Sequence, residues 1–351
     1  MNASSPSSHI LQSAQILPHS SQIPPHLSQI QPSSPISIAG FMDIYAVADV
    51  QLALDDLPTT ANEALRATYE KMLRAGGTRL TVKPCGLPAM DALYAELPNF
   101  SEALDDIRRQ LALCTSSQDA FELTPMLLVG GPGIGKTHFG KRVASLLATG
   151  FGFMSMSTMT AGWVLSGASS QWKNAKPGKL FDTFLTGQYA NPVMMVDEID
   201  KAGGESHYDP LGALYTLLEH DTAQRFVDEF VEIPINASAV AWIATANDIA
   251  RIPEPILNRM NVYQIDPPDN DGSMRIAQSI YAEIRGTHDW GKRFAPDLND
   301  DTLALLTHYS PREMRRLLVA AFGNATLAVR DQLSPSDIDD SKNARRARIG
   351  F

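Results

Sequence analysis

The chain has 351 residues, a length typical of about two folded units, and its formal charge of −10 argues against a protein that mainly coats DNA or an anionic membrane. Cys85 and Cys114 are far apart and form no CxxC pair, which argues against a zinc ribbon or a dithiol motif. No apolar run is long enough to span a bilayer and the N-terminus lacks the basic residues of a secretory signal, so we expect a cytoplasmic protein that does not bind membranes.

Residues 1–42 contain no Asp, Glu, Lys or Arg and are rich in Ser, Pro and Gln. Such a composition cannot bury enough apolar surface to fold, and it predicts a disordered tail. In the alternative interpretation translation begins at Met42, where the composition becomes ordinary.

Residues 43–96 predict a small N-terminal element of unknown role. Apolar periodicity indicates a helix over 61–74 that ends at Gly76 and Gly77, followed by an extended stretch over 79–82.

Residues 97–267 predict an α/β domain with a parallel sheet, because buried strands alternate with helical stretches. A helix is expected over 101–113, and the strands are expected at 126–129, 193–196, 240–245 and 262–265. Residues 268–351 predict a helical domain, with helices near 274–285, 301–308 and 312–330.

A phosphate-binding motif connects the first of these strands to a helix. Residues 130–137 read GGPGIGKT and match G-x-x-x-x-G-K-[ST] in full. The glycines let successive N–H groups surround a phosphate, Lys136 neutralises β and γ oxygens, and Thr137 ligates Mg²⁺. The predicted cofactors are therefore ATP and Mg²⁺. The side chain of His138, which follows the motif, is expected on the helix surface. The predicted nucleotide-contacting residues are Gly130, Gly131, Pro132, Gly133, Ile134, Gly135, Lys136, Thr137, His138 and Asp197.

Two carboxylates follow the strand at 193–196. Asp197 is predicted to hold Mg²⁺ through water, and Glu198 to orient or deprotonate the attacking water. The alternative is an acidic exposed turn, since Asp200 follows closely.

Three further polar residues are candidates for the hydrolytic site. Asn247 ends the strand at 240–245 and can position a water molecule, although Asn at a strand end is also a common turn former. Arg259 follows a short helical turn and can serve as an arginine finger, often for a neighbouring subunit. Arg312 can reach the γ-phosphate from the first turn of its helix, or it lies on a solvated helix face.

These elements, in this order, resemble an AAA+ ATPase module, and in detail they resemble the ATPase module of the Lon family over roughly 100–330. The similar segments are NPVMMVDEIDK (191–201), DPLGALYTLLE (209–219), FVEIP (230–234) and IATAN (243–247). The resemblance implies a P-loop NTPase fold with a helical lid and a ring that usually has six subunits. It also implies that Asn247 is sensor 1, Arg259 a finger acting in trans and Arg312 sensor 2.

The same resemblance implies that loops of the ring's pore grip a polypeptide. Trp172, in QWKNAKPGK (171–179), takes the place of the usual pore tyrosine, and Tyr208 is a weaker candidate on a second loop. Without the resemblance, Trp172 would be read as core packing. Lon proteins continue into a protease domain about where this chain ends, so no peptidase activity is expected here.

The sequence thus favours an ATP-driven ring that remodels proteins. The alternatives are a nucleic-acid motor or loader, suggested by Lys173, Lys176 and Lys179 around Trp172, and a nucleotide-dependent switch that rarely cycles.

Overall fold

The computed structural model of the chain describes residues 36–58, 62–158, 163–172, 174–202 and 209–338. The first unit, which we call the N-terminal unit (36–58 and 62–84), contains two strands and two helices. These are β1 (Ile36–Asp43), α1 (Val47–Asp55), α2 (Glu63–Ala75) and β2 (Thr78–Pro84). Strands β1 and β2 pair in antiparallel register from Ile36 opposite Pro84 to Asp43 opposite Thr78.

The prediction of a disordered tail is wrong for residues 36–42, because they form most of β1. Ile36, Ile38 and Phe41 give this stretch strand-forming side chains, and β2 supplies the ladder of backbone hydrogen bonds that stabilises them. Residues 1–35 lie outside the described part of the chain.

The predicted parallel sheet is confirmed, with one strand more than the sequence suggested. It has five strands in the order β4-β5-β8-β3-β9, and every pairing is parallel. The segments from residue 91 to 155 are α3 (Asp91–Glu96), α4 (Ser101–Thr115), β3 (Met126–Val129), α5 (Lys136–Leu147) and β4 (Phe151–Ser155). Those from 163 to 264 are α6 (Trp163–Ser166), α7 (Lys179–Thr186), β5 (Val193–Asp197), α8 (Gly212–Leu217), α9 (His220–Ala223), β6 (Phe226–Val227), β7 (Pro234–Ile235), β8 (Ala241–Ala246), α10 (Glu254–Leu257) and β9 (Asn261–Gln264).

Buried side chains lie on both faces of this sheet, as expected for parallel strands with helices on either side. One cluster joins the N-terminal unit to the face that carries Met194 and Trp242, and the other packs α4 and α5 on the opposite face. The rings of Phe100 and Phe139 stack 5.0 Å apart and tie the start of α4 to α5.

The helical segment after the sheet has a core of its own. It contains α11 (Asn270–Thr287), α12 (Asp300–Leu306) and α13 (Pro311–Leu327), and Tyr281 stacks on Phe322 at 5.1 Å within its core. Helix α13 begins at a capping box in which Ser310 and Glu313 satisfy each other's backbone N–H groups. None of the helices in the described ranges combines the length and the apolar character needed to cross a membrane.

Candidate active site

A cavity of about 320 Å³ lies where β3, β5 and β8 end and where α11 and α13 approach the sheet. Its walls come from the phosphate-binding loop, the ends of the strands and the helical segment. Crevices at the carboxyl ends of parallel strands are the usual ligand sites of open α/β sheets. The fold therefore brings residues from distant parts of the chain to one ligand-sized space.

The loop after β3 has the backbone conformation that phosphate binding requires. Gly133 and Gly135 have φ angles of +82° and +106°, a region that side chains with a Cβ rarely enter. Helix α5 starts directly after Gly135, so its unpaired N-terminal N–H groups lie beside the loop. An anion placed here is stabilised by both the N–H groups and the positive end of the helix dipole.

The side chain of Lys136 turns back across this loop. Its Nζ donates to Gly130 O at 2.6 Å, to Gly131 O at 2.8 Å and to Asn247 Oδ1 at 2.9 Å. Burial lowers the pKa of Lys136, while the charges of Asp197, Asp200 and Glu198 oppose that change. The ammonium is thus held at the cavity by three oxygen atoms.

Asp197 is fixed at the end of β5 by two hydroxyl groups. Thr137 Oγ1 lies 3.2 and 3.1 Å from its two carboxylate oxygens, and Thr245 Oγ1 donates to Oδ1 at 2.5 Å. The fully buried Thr245 also accepts from the backbone N–H of Glu198 at 2.9 Å. One hydroxyl from β8 therefore orients both acidic residues.

Glu198 itself has a left-handed backbone, with φ at +56°. That conformation is uncommon for a residue with a side chain and is found often at functional sites. It turns the chain sharply at the end of β5, and Glu198 lines the cavity next to Asp197.

Asn247 follows β8 and is held from two sides. Its backbone N–H donates to Asp200 Oδ1 at 3.1 Å, while its side-chain oxygen accepts from Lys136. Asp200 is buried and so does not belong to an exposed acidic turn, which was one interpretation of the sequence. The acidic run after β5 thus contributes a buried support for Asn247.

The first turn of α13 closes the cavity from the helical side. A Cβ added at Gly133 would lie 3.5 Å from Ser310 Oγ and 3.9 Å from Arg312 Cβ, which shows how closely this turn approaches the loop. Arg312 and Arg315 both line the cavity, and Arg315 pairs with Glu283 of α11. Arg312 therefore lies at the site and not on a remote helix face.

His138 contacts a carboxylate that the sequence did not single out. Its Nε2 lies 2.6 Å from Glu96 Oε1, and Arg142 Nε donates to Glu96 Oε2 at 3.0 Å. Burial acts to raise the pKa of Glu96, but His138 and Arg142 outweigh it and the pKa is lowered. The ionised carboxylate fixes α3 against α5 at the edge of the cavity.

Residues 126–267 match the family model described as "ATPase family associated with various cellular activities (AAA)". The chain carries an ATPase domain of the AAA family. This AAA domain covers all five strands of the sheet and the loops that form the cavity.

Lon proteases are similar to the chain in sequence. The mitochondrial Lon protease homolog of Schizosaccharomyces pombe is 30% identical over 225 residues, which are 63% of this chain and 21% of that protein. The Lon protease of Chlamydia trachomatis is 31% identical over 231 residues, 63% of this chain and 28% of that protein. The chain thus spans about a quarter of the length of these relatives, and its AAA domain resembles their ATPase module.

Among solved structures, a closed-state cryo-EM reconstruction of Hsp104 with ATPγS and FITC casein is similar in fold. The TM-score is 0.54 at 15% identity, over 67% of this chain and 47% of that one. This similarity supports the AAA fold of the sheet domain.

Arg259 is set apart from the other predicted residues of the AAA domain. It follows α10, where its Nε lies 2.9 Å from Glu219 Oε1 and its Nη1 donates to Pro255 O at 2.7 Å. It does not line the cavity.

Trp172 also lies away from the cavity, and 43% of its surface is exposed. Its ring meets Trp163, which is 39% exposed, edge to face at 5.6 Å. The interpretation of Trp172 as core packing is therefore wrong. Tyr208, the other predicted pore residue, lies outside the described residues.

Proposed function

We propose that the chain is a Mg²⁺-dependent ATPase that assembles into a ring of identical subunits and remodels polypeptides. The observation that carries the proposal is that one cavity brings together Lys136, Asp197, Glu198, Asn247 and Arg312. The sensor and finger roles given to these residues are part of the proposal.

The residues present fit a magnesium ion. Thr137 supplies a hydroxyl oxygen within 3.2 Å of the Asp197 carboxylate, and oxygen ligands of this kind are those that Mg²⁺ prefers. Thr137 would hold the ion directly, and Asp197 would hold it through water, as the sequence predicts. When bound, Mg²⁺ neutralises charge on the β and γ oxygens.

Glu198 is assigned the role of orienting and deprotonating the attacking water. Its backbone N–H donates to Thr245, so the backbone from which the carboxylate extends has a fixed orientation at the cavity. Asn247 positions the same water, and Lys136 and Arg312 stabilise charge on the γ-phosphate.

A steady-state phosphate-release assay tests this assignment. Glu198→Gln is expected to bind ATP with wild-type affinity and to lose at least about 100-fold in turnover, because the water is no longer activated. Glu122→Gln, a change at an exposed carboxylate outside the cavity, is the matched control. Wild-type turnover by Glu198→Gln would remove Glu198 from the mechanism.

We propose that Arg259 completes the site of a neighbouring subunit. Its ion pair with Glu219 holds the guanidinium on the surface of the AAA domain, outside its own cavity. An arginine in that place can reach a phosphate only across an interface.

Mixing two inactive variants tests the action in trans. Subunits with Arg259→Ala keep Glu198, and subunits with Glu198→Gln keep Arg259. In an equal random mixture, half of the subunits carry Glu198 and half of those have a neighbour with Arg259. Mixing should therefore restore about one quarter of wild-type turnover. No recovery in rings shown to exchange subunits would exclude a shared site.

The polypeptide part of the proposal depends on Trp172 and Trp163. An exposed aromatic pair costs free energy in water and often marks a binding surface. Indole rings such as those of Trp163 and Trp172 can bind an extended polypeptide through contact with its apolar and planar groups.

Reduced, carboxymethylated α-lactalbumin, which stays unfolded, is a suitable probe. It is expected to stimulate ATP turnover of the wild type, whereas Trp172→Ala should keep basal turnover and lose the stimulation. Leu113→Ala, at an exposed apolar residue of α4, controls for general loss of apolar surface. Stimulation by single-stranded DNA in place of the polypeptide would favour a nucleic-acid motor.

A further inference from the structure

The N-terminal unit packs against the segment that carries the two exposed tryptophans. We call residues 163–172 the tryptophan segment, with Trp163 at its start and Trp172 at its end. The two rings meet edge to face, so the position of one depends on the position of the other. Whatever holds this segment also holds the surface that both rings present.

Asn62, at the start of α2, contacts the segment directly. Its Nδ2 donates to Ser170 O at 2.9 Å, a contact across 108 positions of the chain. The other side-chain atom, Oδ1, accepts from Ala64 N at 2.9 Å and caps α2. The same amide thus serves the helix with its oxygen and the tryptophan segment with its nitrogen.

A second set of contacts joins the N-terminal unit to the base of the segment. Tyr69 of α2 donates to Val231 O at 2.8 Å. The neighbouring Asp228 is fully buried and accepts from Gly178 N at 2.7 Å, just after the tryptophan segment and before α7. On the other side, Glu229 N donates to Ser166 O at 2.7 Å. Helix α2 is therefore connected to the chain before and after Trp172.

We propose that the N-terminal unit positions the tryptophan segment, with Asn62 as the positioning residue. In this role the unit determines how tightly the ring holds a polypeptide and leaves the rate of ATP turnover without polypeptide unchanged. The proposal rests on the proposed function of Trp172. It gives residues 36–58 and 62–84 a role in substrate contact that requires no contact with the nucleotide.

Asn62→Asp separates the two tasks of the side chain. Aspartate is as good a helix cap as asparagine, but it has no N–H to donate and places a carboxylate beside Ser170 O. Asn62→Ser is a second variant that keeps the cap and is too short to reach Ser170. Circular dichroism and thermal unfolding should show that both variants keep α2.

The first measurement is ATP turnover against the concentration of carboxymethylated α-lactalbumin. Loss of one hydrogen bond predicts that half-maximal stimulation needs about fivefold more polypeptide, with basal turnover and the maximum stimulated rate unchanged. A purely structural defect would lower the basal rate as well.

The second measurement is quenching of tryptophan fluorescence by acrylamide, in a Trp290→Phe background. The chain has four tryptophans, and Trp242 is 2% exposed, so the quenchable signal then comes from Trp163 and Trp172. Both Asn62 variants should be quenched more than the background protein, because the segment is no longer held at Ser170.

The proposal is supported if both Asn62 variants show weaker polypeptide affinity and stronger quenching. It is overturned if either quantity stays at the wild-type value while Trp172→Ala loses stimulation, since Trp172 then acts without help from Asn62. If Trp172→Ala keeps full stimulation, the proposed function of Trp172 fails first and the positioning proposal is rejected with it.

Discussion

Thr245 offers a sharp test of how the acidic pair is oriented. Its hydroxyl donates to Asp197 Oδ1 at 2.5 Å and accepts from Glu198 N at 2.9 Å, in a fully buried position on β8. Valine has nearly the same shape and lacks both interactions. The lost hydrogen bond to an ionised carboxylate is worth about 1.5–3 kcal/mol, and the unpaired N–H adds about 1 kcal/mol. We expect Thr245→Val to lower the free energy of unfolding by about 2.5–4 kcal/mol.

The same change should reduce ATP turnover more than ATP binding. Loss of a residue that orients the groups acting on water and metal typically costs about 10- to 100-fold in rate. Urea unfolding, nucleotide binding and phosphate release measure the three effects separately. Thr245→Ser keeps the hydroxyl and should stay close to wild type. If Thr245→Val matched Thr245→Ser in turnover, the hydroxyl would have no part in orienting Asp197 and Glu198.

Three further predictions concern charge at other places. Burial raises the pKa of Asp228 to about 6 from 3.8, against the effect of its backbone hydrogen bonds, so the folded state binds an extra proton between these values. The free energy of unfolding should therefore fall by about 3 kcal/mol as pH rises from about 3 to about 7, through both pKa values. Asp228→Asn should lack this pH dependence; urea unfolding at several pH values measures it, and the same dependence in both proteins would contradict the prediction. Arg312→Ala should weaken ATP binding or turnover at least about tenfold, because Arg312 lines the cavity. Arg293→Ala, at an exposed site outside the cavity, should change neither quantity. Calorimetry with ATP and ADP measures the change in nucleotide binding. Removal of Mg²⁺ with EDTA should abolish turnover, and Mn²⁺ should restore it; turnover that persists in EDTA would contradict the Thr137 and Asp197 assignment.

Much of the sheet could be predicted because buried parallel strands are continuous apolar runs. The strand predicted at 126–129 has the same bounds as β3, and the phosphate-binding loop was predicted from the spacing of its motif alone. Strand β4 was missed because Gly152 interrupts its apolar run and because its residues alternate between buried and at least partly exposed, whereas β3 is buried throughout. Composition over 1–42 likewise hid the strand-forming residues of β1.

The supporting residues of the site could not be found in the same way. Thr245 and Asp200 act across strands, and their importance depends on which side chains neighbouring strands bring together. Glu96 reaches His138 from a helix 42 positions earlier in the chain. Trp163 showed no motif, and only its contact with Trp172 distinguishes it. Sequence patterns identified the residues that we propose to contact phosphate, and packing was needed to identify the residues that hold them in place.

The close approach of α13 to the phosphate loop has a mechanical consequence. Arg312 belongs to a helical segment with its own apolar core, whereas Lys136 begins α5 of the sheet domain, so the cavity lies between two units with separate cores. A nucleotide that binds both residues fixes the angle between the two units, and loss of the γ-phosphate removes one of the contacts that fix this angle. Under the proposed function, each turnover is transmitted as a rotation of the helical segment about the place where Ser310 lies close to the phosphate-binding loop.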